Sequence, residues 1–278
     1  MKLTLIVSTY NWPNALRKVL QSAARQTRLP DELIIADDGS RADTSELIYA
    51  LRPTLPFPLH HVWQEDKGFR KALVMNKAFA IATGDYIVCI DGDIVMERHF
   101  LSDHERLARP HTVLLGSRCK LRSKATEAYL SEVEYRPLSC FSPGIRRRYN
   151  ALRLTWLTPH AHRRARSIGC NISFWRDDIV RVNGYDEAFE GYGKEDSDIV
   201  MRLEKSGCTK QRIKYSAIAF HLYHPEREDT DNKNRRLFEV REKTGDHRAR
   251  AGMDAHDASP LLYEAPYPSR GTSPSKDN

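Results

Sequence analysis

Residues 3–40 read LTLIVSTYNWPNALRKVLQSAARQTRLPDELIIADDGS, and their changing period decides the fold. Residues 3–7 are a short, partly β-branched apolar run that stops at the polar Ser8, Thr9, Tyr10 and Asn11. Over 12–26 the spacing becomes helical, with Leu16, Val19, Leu20 and Ala23 forming one apolar stripe. Residues 33–36 are a second apolar run, closed by Asp37, Asp38, Gly39 and Ser40. Strand, helix, strand is the unit of a parallel sheet, because parallel neighbours need a long crossover between them. The alternation continues outward, with strands expected at 59–63, 86–90 and 113–115 and helices at 44–51, 71–83 and 97–108. The expected fold class is α/β with a mostly parallel central sheet flanked by helices. Ligands bind such sheets beyond the carboxyl ends of the strands, so the residues following each apolar run are the first candidates for function.

The second half is less regular. Ser142 and Pro143 resemble an N-cap and first helical position, and Ile145, Tyr149, Leu152 and Trp156 follow at helical spacing, so a basic amphipathic helix is expected there. A strand is expected at 168–175, a helix at 195–205 closed by Gly207, and a last strand at 213–220. Apolar content falls away after residue 245. The expected organisation is one domain over 1–245, with a regular half (1–116) and a less regular half (117–245), followed by a disordered tail at 246–278.

A chain of 278 residues with 40% hydrophobic and 29% charged positions has globular proportions, which excludes disordered, collagen-like and coiled-coil classes. No apolar run approaches the roughly 18 to 20 residues of a membrane span, and the start lacks a signal-peptide pattern, so a cytoplasmic location is expected. The five cysteines are widely spaced and read as reduced, buried thiols. The formal net charge is +7, yet residues 135–176 hold nine arginines and no acid, so the basicity is one local feature. It suits an acidic partner, a phosphate-rich ligand or an anionic membrane surface.

Acids then mark the chemistry. Asp37 and Asp38 end a strand where a carboxylate suits recognition of a base or sugar donor group, although a simple strand-to-helix turn accounts for them as well. Asp91 and Asp93 flank Gly92 after another apolar run; two buried acids so close repel, and a divalent cation such as Mg²⁺ or Mn²⁺ relieves that repulsion. Glu195, Asp196 and Asp198 open a helix behind the glycine-rich loop 191–193. Acids in a first turn are ordinary helix-dipole partners, which covers Asp198 well, whereas Glu195 and Asp196 raise each other's pKa toward the range of a general base. His221 ends a strand and could complete a metal shell, while His224, before Pro225, reads as a solvated turn residue.

Taken in order, VSTYN at 7–11, DDGS at 37–40, GFRK at 68–71 with Asn76, DGD at 91–93 and the segment 184–198 resemble glycosyltransferase family 2. The closing signature, GYDEAF followed by GYGKED, is similar to that of bacterial polysaccharide synthases and animal galactosyltransferases. The resemblance implies a GT-A fold, a Rossmann-like, mostly parallel sheet flanked by helices, and inverting transfer of one sugar from a nucleotide-sugar donor, UDP-linked, to a hydroxyl of a bacterial surface glycan or lipid-linked glycan acceptor. It implies donor contacts from Ser8, Thr9, Tyr10, Asp38, Arg70 and Asp91. It further implies Mn²⁺ or Mg²⁺ on Asp93 and His221, Asp196 as catalytic base, and Glu195 orienting the acceptor. Many members carry further membrane helices or a second transferase domain; neither is read in this sequence, so a single sugar addition is expected and not processive polymerisation. The arginine-rich stretch lies where members vary near the acceptor, so 142–166 is expected either to pack on the core with a solvated cationic face or to dock on an anionic membrane surface, peripherally on its inner face.

Two other classes compete. A sugar nucleotidyltransferase shares the sheet and the carboxylates but would carry a glycine-rich phosphate loop after the first strand, and residues 8–13 contain no glycine. A nucleic-acid binder acting through 135–176 leaves the acid clusters without a purpose, so nucleic acid is not the expected partner.

Overall fold

The computed structural model describes residues 1–158, 169–225 and 232–258. The first half runs β1 (Leu3–Thr9), α1 (Pro13–Ala23), β2 (Glu32–Asp37), α2 (Ala42–Leu51), β3 (Leu59–Trp63), α3 (Lys71–Ile81), β4 (Tyr86–Asp91), β5 (Ile94–Met96), α4 (Phe100–Leu107) and β6 (Thr112–Leu115). The second continues with β7 (Cys119–Lys120), α5 (Ser123–Ser131), β8 (Asn171–Trp175), α6 (Arg176–Val182), α7 (Glu195–Lys205), β9 (Thr209–Arg212), β10 (Ala219–His221) and α8 (Lys233–Lys243).

The main sheet has the order β3-β2-β1-β4-β8-β6-β9. β1 pairs in parallel with β2 and β4, and β2 with β3; β8 runs antiparallel to β4 and β6. Both faces of β1 are covered, which is why it reads as a continuous apolar run. Leu3, Leu5 and Val7 pack with Leu16, Val19 and Leu20 of α1 on one side. Ile6, with Ile34 and Ala36 of β2, packs against α3, α6 and α7 on the other. Pro13 starts α1, where its missing N–H costs no helical bond. A smaller sheet, β5-β10-β7, closes over a third apolar cluster that includes Val95, Tyr129 and Phe220.

The helix expected from 142 to 156 does not form. Gly144 and Arg147 have φ of +74° and +54°, which no α-helix accommodates, and only short 3₁₀ turns remain at Arg148–Ala151 and Thr155–Leu157. Pairing won over periodicity: Ile145 bridges to Leu121, and the flanking backbone bonds Arg122 N–H to Gly144 O and Arg146 N–H to Lys120 O. Ile145 and Ala151 are buried, while Phe141, Tyr149 and Trp156 stay exposed. The arginines divide as well, since Arg153 grips buried Asp103 with two bonds of 2.9 and 2.7 Å. Residues 159–168, with Arg163, Arg164 and Arg166, lie outside the described residues.

The strand expected at 213–220 shrinks to Ala219–His221, because Tyr215 and Ala217 take positive φ. Part of the segment expected as a disordered tail is ordered. Ala249 is buried and its N–H donates to Val182 O, and the Asn183 amide donates to Ala249 O and Asp254 Oδ1, tying 249–254 to the end of α6. Residues 259–278 lie outside the described residues. No helix among the described residues is long and apolar enough to cross a membrane.

Candidate active site

Parallel register places the first acids together. Ser8 stands opposite Ala36 of β2 and Asp91 of β4, and Thr9 opposite Asp37, so three strands end at one level. A cavity of about 720 Å³ opens beyond that edge. Ser8, Thr9, Tyr10, Asp38, Asp91, Asp93, Glu195 and Asp196 all line it. Arg70 does not: its backbone N–H donates to Asp38 Oδ2 at 2.7 Å, while its guanidinium turns to the carbonyl of Glu65. Arg70, expected near the donor, thus reaches the cavity region through its backbone bond to Asp38. Asp38 is completed by Gln64 Nε2 at 2.6 Å, and burial raises its pKa against those two bonds.

The small sheet brings the second acid of DGD to the histidines. β10 runs against β5, with His221 opposite Ile94, and the Leu222 N–H donates to Asp93 O. Asp93 Oδ2 lies 3.5 Å from His221 Nε2 and 3.1 Å from His224 Nε2. Among the described residues these three form a group whose ligand atoms all lie within 4.8 Å of one another. Asp93 Oδ1 is buried without a hydrogen-bond partner, an arrangement that a cation would satisfy. Burial holds His221 below the usual histidine pKa and so in the neutral, ligating form. His224, read from sequence as a solvated turn residue, instead belongs to the cluster, and its hydrogen bond with Asp93 raises its pKa. His221 sits behind Asp93, while His224 lines the cavity wall.

The third contribution comes from α7. Gly191, Gly193 and Lys194 have φ of +83°, +101° and +75°, so the chain turns sharply into the helix and presents its first residues to the cavity. Ile199, Val200 and Leu203 anchor the far side of α7 in the core. Asp198 is structural, bonded to Arg202 at 2.7 Å. Asp196 accepts from Tyr185 Oη at 2.9 Å and pairs with Lys71 Nζ at 3.2 Å. Lys71 Nζ also lies 3.1 Å from Asp91 Oδ1 and joins the two acid groups. Glu195 is buried with Oε2 unpartnered, and burial, followed by the field of Asp196, pushes its pKa up to about 7.

Lys71, Tyr185 and Arg118 are site residues to which the sequence reading gave no role, and Arg118 stands in none of the quoted motifs. Lys71 stands in the quoted GFRK segment, next to Arg70, which was the more obvious cation. Asn76, quoted beside it, is a clamp: Oδ1 accepts from the Tyr185 N–H, and Nδ2 donates to Tyr185 O and Glu187 Oε1. It fastens the loop after Gly184 to α3 and so holds the Tyr185 hydroxyl under Asp196.

Comparison with known proteins bears on the family and the fold. The family model for glycosyl transferase family 2 matches residues 4–171, and that for the N-terminal domain of galactosyltransferase matches 155–225. Chondroitin synthase of Pasteurella multocida is 26% identical over 251 residues, covering 83% of this chain and 26% of that protein. Validoxylamine A glucosyltransferase of Streptomyces hygroscopicus is 28% identical over 226 residues, 74% of this chain and 48% of its own. The chain thus spans about a quarter to a half of the length of these relatives. Among solved structures, the mannosyltransferase PcManGT of Pyrobaculum calidifontis in complex with GDP-Man and Mn²⁺ has a TM-score of 0.56 at 20% identity, covering 86% of this chain and 60% of that one. S. aureus TarS 1–349 in complex with UDP-GlcNAc has 0.60 at 17%, covering 92% and 69%. With more than half of its length matched by the family model, and with these structures sharing its architecture, the chain belongs to glycosyl transferase family 2 and has the GT-A fold.

Proposed function

We propose that the chain transfers one sugar from a UDP-linked donor to a hydroxyl of a bacterial surface glycan or glycolipid, in a single inverting displacement that uses Mn²⁺ or Mg²⁺. The observation that carries the reading is that the donor-side acids Asp38, Asp91 and Asp93 and the pair Glu195–Asp196 line one cavity at the carboxyl edge of the sheet. Neighbours bound to UDP, UDP-GlcNAc or GDP-Man with Mn²⁺ support a nucleotide-sugar donor.

Asp38 accepts from the base, and Ser8, Thr9, Tyr10 and Asp91 border the nucleoside. Asp93, His221 and His224 would hold the cation. Once bound, it supplies Lewis-acid neutralisation of the charge that gathers on the leaving diphosphate. Asp196 takes the proton of the acceptor hydroxyl as that oxygen bonds the anomeric carbon. The bond to the diphosphate breaks on the opposite face, its electron pair leaving with the phosphate. Lys71 and Tyr185 hold the Asp196 carboxylate in place, while Glu195 orients the acceptor. A second reading, with Glu195 as the base, is favoured by its pKa near 7 and its unpartnered oxygen. Exposed Phe141, Tyr149 and Trp156 beside Arg146, Arg147 and Arg148 support peripheral contact with an anionic membrane face that would present a lipid-linked acceptor.

Thermal unfolding with UDP, GDP and CDP, each with and without Mn²⁺, tests the donor. Stabilisation by UDP that requires Mn²⁺ is expected; stabilisation by oligonucleotide with no nucleotide effect would replace the reading with polyanion binding.

A further inference from the structure

Arg118 lies just beyond β6 and lines the cavity with Asp91, Asp93 and Cys170. Its guanidinium carries five N–H donors, and among the described residues its hydrogen bond is to Cys170 Sγ at 3.0 Å. That partner is a weak one. Burial pushes the Cys170 thiol up to about 12, so at neutral pH it is an uncharged acceptor. No carboxylate among the described residues pairs with Arg118 within 4.0 Å. The other cations of the cavity wall are engaged: Lys71 lies between Asp91 and Asp196, and Lys194 stands over the ring of Phe238. Arg118 is therefore the arginine fork turned to the cavity with most of its donors unused.

Its position selects the anion. Arg118 shares the cavity wall with Asp91 and with Asp93 and His224 of the cluster proposed to hold the cation. A divalent ion and a guanidinium facing each other repel unless an anion lies between them. A nucleoside diphosphate places its outer phosphate where the bond to the sugar breaks, and a planar fork matches two of that phosphate's oxygens.

We infer that Arg118 binds the outer phosphate of the nucleotide-sugar donor and shares with the cation the charge of the leaving diphosphate. This rests on the donor reading above and assigns it a residue. The test is calorimetric titration of wild type, Arg118→Gln and Arg118→Lys with UDP, UMP and uridine, all in Mn²⁺. Arg118→Gln is expected to weaken UDP binding about ten- to a hundredfold, in line with the loss of charge-assisted hydrogen bonds. UMP and uridine, which lack the outer phosphate, should bind as in the wild type, and Arg118→Lys should recover part of the loss. Equal UDP affinity in wild type and Arg118→Gln overturns the role and leaves the donor reading standing, with Arg118 free to serve an acidic acceptor. An equal loss for UMP and uridine also overturns it, because the side chain would then support the fold of the pocket. A wild type that binds no nucleoside diphosphate overturns the donor reading itself.

Discussion

Lys71 Nζ lies 3.2 Å from Asp196 Oδ2, so the proposed base is paired with a buried ammonium that also touches Asp91 at 3.1 Å. Burial works against the Lys71 charge, and the carboxylates of Asp196 and Asp91 more than reverse it, holding its pKa well above the usual lysine value. The same ion pair holds Asp91 below the usual carboxylate range against its own burial. Lys71→Met leaves two neighbouring carboxylates without their cation. The base then loses one of the two contacts that fix it, and kcat at pH 7 should fall by about a hundredfold. Lys71→Arg should keep part of the activity. Wild-type turnover in Lys71→Met would mean that the lysine does not position the base.

Glu195 gives a pH dependence of stability. Burial, followed by the field of Asp196, pushes its pKa in the folded protein up to about 7 from the ordinary 4.5. Between these values the folded protein holds a proton that the unfolded chain has released, so stability falls as pH rises through this window. The loss is complete above the folded pKa and amounts to about 3 kcal/mol at most. Glu195→Gln removes the effect. It should unfold at a higher temperature than wild type at pH 8 and at about the same temperature near pH 4.5. In turnover assays it should raise the acceptor KM with kcat nearly kept, whereas Asp196→Asn should lower kcat by about 10³ or more with UDP binding intact. The reverse pattern would transfer the base role to Glu195.

The acids were legible because each ends an apolar run or sits in a recognisable signature, and parallel strands bring such ends to one edge. The register of Ser8 with Asp91 makes that convergence a consequence of the β1–β4 pairing. Lys71, Arg118 and Tyr185 were not legible, since their side chains reach the cavity from a helix start, a strand exit and a clamped loop, whose directions depend on tertiary packing. Arg70 likewise meets Asp38 through its backbone N–H, a contact that its side-chain type does not announce. The failed helix at 142–156 shows a pattern overridden by partners, as Ile145 satisfies its apolar character by bridging to Leu121.

His224 tests the cation site most sharply, because its sequence context suggested nothing beyond a solvated turn. Asp93→Ala, His221→Ala and His224→Ala should each weaken Mn²⁺ binding about tenfold or more, measured by titration with the metal alone. Two imidazoles among three ligands should also favour Mn²⁺ over Mg²⁺, whose preference is for oxygen. A histidine ligates only when neutral, and the hydrogen bond with Asp93 raises the His224 pKa above its usual value of 6.5. Mn²⁺ affinity should therefore fall as pH drops through that raised value. Unchanged affinity in His224→Ala would return this residue to the solvated turn.

Gly169 separates positioning of the base from stability. A Cβ placed there would lie 1.8 Å from Asp196 Oδ2 and 2.0 Å from its Cγ, with no backbone atom among its nearest contacts. The clash falls on a side chain and not on backbone, so Gly169→Ala should displace Asp196 from Lys71 and Tyr185 without disturbing the sheet. A misplacement of about 1 Å in a reacting group costs on the order of a hundredfold in rate. Gly169→Ala should therefore lower kcat by about that factor, with UDP affinity and the unfolding temperature close to wild type. Normal turnover in this variant, with its fold intact, would show that the chemistry does not depend on where the Asp196 carboxylate stands.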